Sequence, residues 1–152
     1  MQFKRPGDII DFAIQREQEA QEIYASYAAQ TSRPGFRQLL LSMAEMEKDH
    51  ETRLREIQSG TDLAAGFTDS AAADLGLDEQ LVEVKYTPDM EYGDFLILII
   101  KKESRAEKLY LALAGLARKP DLQHTFRLLA EEEGKHKSWA QDRYDLEILK
   151  EN

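Results

Sequence analysis

The feature that most constrains this chain is an internal repeat at a fixed offset of 86 positions, read from Glu47 against Glu133 (133 minus 47). Glu47-Lys48-Asp49-His50 returns as Glu133-Gly134-Lys135-His136. At the same offset Gly7-Asp8 returns as Gly93-Asp94, Glu17 as Glu103, Ala20 as Ala106, Tyr24 as Tyr110, Pro34 as Pro120 and Ala44 as Ala130. Whatever one half of the chain folds into, the other half repeats.

Within each copy the apolar positions alternate in steps of three and four, the mark of a helix with one buried face. A first segment runs from Asp8, expected as its N-cap, to about Gln30, with Ile10, Ala13, Glu17, Ala20, Tyr24 and Tyr27 inward. Arg33-Pro34-Gly35 breaks it, because proline cannot continue a helix interior. A second segment carries Phe36, Leu40, Met43, Glu47, His50, Leu54 and Ile57 inward and ends near Ser59-Gly60. The second copy repeats this, from about Asp94 to Arg118 with Leu96, Ile99, Glu103, Ala106, Tyr110 and Leu113 inward. Its last segment runs from about Asp121 to Leu149 with Leu122, Phe126, Leu129, Glu133, His136 and Ala140 inward.

From Thr61 to about Met90 the pattern lapses. A gap of this size is long for a structureless loop, so a crossover is expected, with a helical turn at Ser70–Leu75 and an extended piece at Leu81–Tyr86. The predicted fold class is all-α. It is an antiparallel four-helix bundle forming one domain over 1–152, made of hairpins at 8–59 and 94–149 joined by a crossover at 60–93.

With 42% apolar residues in 152, the chain can pack one core. Its longest apolar run, Phe95 to Ile100, falls far short of the ~18 to 20 residues of a membrane span. That run is apolar on all sides of its helix, and either a homodimer contact is expected there or the crossover packs over it. The opening Met-Gln-Phe-Lys-Arg-Pro has no apolar signal region, so a cytoplasmic location is expected. A net charge of −9 with no dominant basic segment excludes a nucleic-acid footprint. The absence of cysteine excludes disulfides, iron–sulfur clusters and thiol catalysis, so any metal must be held by oxygen and nitrogen.

Glu and His at i and i+3 share one helix face, which is a metal-ligand spacing. Counted from a turn near residue 33, Glu17 lies 16 residues before it and Glu47 and His50 lie 14 and 17 after it. At about 1.5 Å per residue all three stand roughly 21 to 26 Å from the turn. Glu103, Glu133 and His136 repeat the arrangement. Asp121 and His124 have the same spacing but sit at a helix start, out of reach of Glu17 and Glu103.

Four carboxylates in an apolar core need compensation, and two divalent ions supply it, with two imidazoles completing the coordination. The expected assignment gives Glu17 and His50 to one ion, Glu103 and His136 to the other, with Glu47 and Glu133 bridging. Two iron ions are expected first, with manganese or zinc open. Tyr24 and Tyr110 lie two turns after Glu17 and Glu103; they either hydrogen-bond ligand carboxylates or fill the core. Ala20 and Ala106 either leave room for an oxidant or are ordinary helix packing.

The pattern Glu…(Glu-x-x-His)…Glu…(Glu-x-x-His), with Glu17-x-x-Ala20-x-x-x-Tyr24, Ala44-Glu45-Met46-Glu47-Lys48-Asp49-His50, Glu103-x-x-Ala106-x-x-x-Tyr110 and Ala130-Glu131-Glu132-Glu133-Gly134-Lys135-His136, resembles the ferritin-like diiron carboxylate superfamily and within it the rubrerythrin-like proteins. The resemblance implies a nonheme diiron site that reduces peroxide or oxidises ferrous iron with dioxygen. Rubrerythrins proper add a four-cysteine rubredoxin-like domain, which this chain lacks, so a separate electron-donor protein is expected. They also carry an extra glutamate where this chain has Ala106. The leading expectation is an oxidoreductase of peroxidase or ferroxidase type. Its alternatives are an iron-sequestering protein that oxidises iron incidentally and a metal-free helical interaction module.

Overall fold

The computed structural model describes residues 5–60, 62–68 and 85–151, and it is all-α, consistent with the predicted four-helix bundle of two hairpins. Helices α1 (Pro6–Gln30), α2 (Pro34–Gly60) and the short α3 (Leu63–Gly66) lie in one unit, residues 3–73. Helices α4 (Tyr92–Leu116) and α5 (Pro120–Glu147) and a closing 3-10 turn (Leu149–Glu151) lie in the second, residues 74–152.

In the first unit α1 begins earlier than Asp8. Arg5 is the extended N-cap and Pro6 takes the first helical position, where its missing N–H costs nothing. Asp8 is not the cap. It is the third helical residue, and its carboxylate accepts a hydrogen bond from the Arg5 backbone N–H at 3.1 Å, the acidic half of a capping box. The 86-residue offset keeps this register, with Glu91 as N-cap of α4 and Asp94 in its first turn.

Both hairpins close the same way. Arg37 reaches back to α1, its Nε donating to the Ala28 carbonyl at 2.9 Å and its Nη2 to the Thr31 carbonyl at 2.7 Å. Gln123, its counterpart at the repeat offset, donates from Nε2 to the Ala117 carbonyl at 2.9 Å. Each satisfies carbonyls that a helix end leaves without intrahelical partners. Tyr27 and Phe36 add an edge-to-face contact across the first turn, ring centroids 6.0 Å apart.

Gly7 lies beneath Leu63, whose Cδ1 would sit 3.3 Å from a Cβ there, and Gly93 lies beneath Ile148 at 3.4 Å. At the far end of the second hairpin Tyr92 donates a hydrogen bond to the Glu147 carboxylate, which also pairs with Arg143 at 3.4 Å.

The buried face of α2 is the predicted stripe: Phe36, Leu40, Met43, Glu47, His50, Leu54 and Ile57. In α5 the six predicted inward residues are joined by Ala130. The faces of α1 and α4 are wider, adding Ile9, Ile14, Ile23 and Ala28 in the first and Phe95, Leu98, Leu109 and Ala114 in the second. Ala20 and Ala106 are only half-buried.

In the connection, α3 is a turn of helix that the sequence pattern does not announce. The expected helical turn at Ser70–Leu75 lies outside the described residues, as does the extended piece up to residue 84, while Lys85 and Tyr86 have no regular structure. Among the described residues no helix is long and apolar enough to cross a membrane.

Candidate metal centre

Among the described residues, the buried charged or polar side chains are Glu17, Glu47, His50, Glu103, Glu133 and His136, each at most 6% exposed. They are the six that the repeat singles out. Everything else in the described core is aliphatic, aromatic or methionine, so these positions are built against the general cost of burying charge.

In the first hairpin α1 supplies Glu17 and α2 supplies Glu47 and His50. His50 Nδ1 lies 3.6 Å from Glu17 Oε1 and 3.9 Å from Glu47 Oε2. Glu17, Glu47 and His50 each bring one donor atom to within 4.8 Å of the other two. The second hairpin repeats the triad. His136 Nδ1 lies 3.5 Å from Glu103 Oε2, and one donor atom each from Glu103, Glu133 and His136 again falls within 4.8 Å of the others.

These separations are too long for hydrogen bonds. They are close to the spacing of neighbouring ligands on one ion, which stand roughly 3 Å apart when each is about 2.1 Å from the metal. Each triad also balances in charge, since two carboxylates match one divalent cation and a neutral imidazole adds none. Carboxylate oxygen with imidazole nitrogen suits iron, manganese or zinc. The residues present therefore fit a metal ion in each hairpin.

Tyr24 and Tyr110 are buried on the ligand-bearing faces of α1 and α4, two turns beyond Glu17 and Glu103. Asp121 and His124, the pair set aside on sequence grounds, are both exposed.

The neighbours of the ligands are where sequence reasoning stopped short. Beside His50, Glu51 accepts hydrogen bonds from Gln21 Nε2 at 2.9 Å, Gln18 Nε2 at 3.1 Å and Arg55 Nε at 2.8 Å. Led by Gln21, these donors hold its carboxyl below the ordinary glutamate range in spite of burial. At the repeat offset Gln21 becomes Glu107, Lys48 becomes Gly134 and Glu51 becomes Lys137. The second hairpin accordingly has a Lys137–Glu107 ion pair at 3.5 Å instead. Glu107 Oε2 lies 2.5 Å from where a Cβ on Gly134 would be. Carrying the offset one turn outward from the ligands is the signal that finds these groups.

A family model described as Rubrerythrin matches residues 8–75 and 94–149. No curated protein and no solved structure matches the chain significantly.

Proposed function

The chain belongs to the rubrerythrin family, and from that premise we propose that its two triads jointly hold a pair of metal ions, iron first, and that the loaded protein is an oxidoreductase acting on peroxide or dioxygen. The observation that carries this reading is the coincidence of two selections: the six residues fixed by the repeat are the buried charged and polar residues of the described core. Glu17 and His50 would hold one ion, Glu103 and His136 the other, and Glu47 and Glu133 would serve both.

When bound, a pair of ferrous ions supplies the two electrons that reduction of peroxide requires. The protein's part is electrostatic and steric. The four carboxylates set a charge of −4 that favours two divalent ions and accommodates their oxidation. The aliphatic residues around them, such as Leu54 and Leu129, exclude bulk water. Tyr24 and Tyr110 steady the ligand carboxylates. Electrons for re-reduction are assigned to a separate donor protein.

The test is metal analysis followed by anaerobic reduction and separate challenges with peroxide and dioxygen. Two irons per chain, oxidised by at least one of the two faster than free ferrous iron, is the expected result. Reoxidation no faster than free iron by either overturns the oxidoreductase reading, and uptake of many irons per chain points to storage.

A further inference from the structure

The two triads match in their ligands but not in their approaches, and the difference lies one turn from Glu103. Residues four apart on a helix are neighbours on one face, so Glu107 follows Glu103 along α4 toward the surface. Its side chain is 30% exposed where that of Glu103 is 3% exposed. The Glu107 carboxylate rests against Gly134 of α5, between the ligands Glu133 and His136 in sequence, and only the lack of a Cβ lets it lie there. A glycine inside a long helix weakens it relative to alanine, so its presence calls for a reason, and the carboxylate lying on it is one.

The partner of Glu107 is Lys137 at 3.5 Å, itself 38% exposed. A half-exposed ion pair of this kind contributes little stability, so an incoming cation displaces the ammonium easily. In the first hairpin the described residues at the matching positions differ. The matching residue is Gln21, a neutral donor, and the carboxylate it serves, Glu51, is held by three donors.

We propose that Glu107 is an entry residue for the second hairpin: it takes a divalent cation from solvent in exchange for Lys137 and delivers it to Glu103, Glu133 and His136. The first hairpin loads without such a step, so the two metal positions fill at different rates. The inference rests on those three residues being metal ligands, as the proposed function holds.

Cobalt(II) alone, mixed with metal-free protein in a stopped-flow spectrometer, is the test, with total uptake measured on the same samples. Wild type should bind two cobalt ions per chain in two resolved phases. Glu107→Gln should slow one phase by about tenfold or more, in the range by which a single-sign charge raises the local concentration of its counter-ion, with the final stoichiometry unchanged. Gly134→Ala should slow the same phase, because its methyl group evicts the carboxylate while favouring the helix, so a folding defect cannot mimic the result. Lys137→Gln should accelerate that phase. A Glu17→Ala/His50→Ala chain, checked for helicity by circular dichroism, identifies the phase by retaining it.

Unchanged rates in both Glu107→Gln and Gly134→Ala, with two ions still bound, overturn the entry role and leave the metal site standing. Failure of the wild type to bind cobalt overturns the metal site itself.

Discussion

A carboxylate without water around it needs a positive partner, and at Glu47 and Glu133 burial is essentially complete, at 1% and 0% exposure. In the metal-free protein each triad therefore places two buried acids near one imidazole. Glu47→Gln should raise the stability of metal-free protein, because burying a carboxylate costs more than burying an amide, while metal content falls. Urea unfolding of metal-free protein, paired with elemental analysis of loaded protein, checks both halves. Destabilisation with full metal content would instead make Glu47 an ordinary packing residue. Glu51 behaves oppositely, since its donors favour the ionised form and its folded pKa is lowered from 4.5. The unfolded chain thus binds this proton more readily, so the contribution to stability is present above pH 4.5 and is lost as pH falls through the lowered value. The urea midpoint of Glu51→Gln should converge on that of wild type in acid and fall below it near neutrality; a constant gap at all pH would assign the effect to something other than the charge. The six ligands were legible because a repeat tests each residue against its counterpart. Glu107 and Gly134 were not, because at those positions the counterparts differ, and a difference has meaning only once the packing of α4 on α5 is known.

The same logic holds for the helices. Their existence and inward faces could be read because α2 and α5 present narrow stripes in which about one residue per turn faces the core. Their starts were misplaced because Asp8 has a cap-like side chain but serves the third position of α1, pairing backward to Arg5. Proline at the first helical position of α1 and α5 is the better marker. The short α3 was missed because a four-residue turn carries no period to detect. What periodicity cannot supply at all is the closing contact of each hairpin, where a side chain near the start of the second helix satisfies the last carbonyls of the first. Arg37 makes two such bonds and Gln123 makes one. With hydrogen bonds worth about 0.5–1.5 kcal/mol each, and more from a charged donor, Arg37→Ala should cost roughly 1–3 kcal/mol and Gln123→Ala about 1 kcal/mol. Denaturant midpoints of the two variants check the order. Arg37→Gln should recover part of the loss, since the corresponding position of the other hairpin already uses an amide.

At the scale of the whole molecule the question is whether the two triads, each proposed to hold a metal, behave as one site. The proposed bridging by Glu47 and Glu133 would require each hairpin to serve the other's ion. Bridging has a thermodynamic consequence that two separate sites lack, because two ions that share carboxylates do not bind independently. His50→Ala weakens the first ion directly. If the site is shared, the affinity of the second ion should change too, by about tenfold or more, corresponding to a coupling of at least ~1.4 kcal/mol in magnitude. Calorimetric titration of metal-free wild type and His50→Ala with cobalt(II) measures it. The reciprocal variant, His136→Ala, should likewise alter the affinity of the first ion, since linkage between two binding events runs in both directions. Loss of one ion with the other bound at wild-type affinity, in both variants, would show two independent mononuclear sites. Two-electron chemistry at a joined pair would then be ruled out, and each hairpin would hold its metal alone. A changed affinity for the remaining ion in both variants would join the halves energetically, as the repeat in the sequence joins them by pattern.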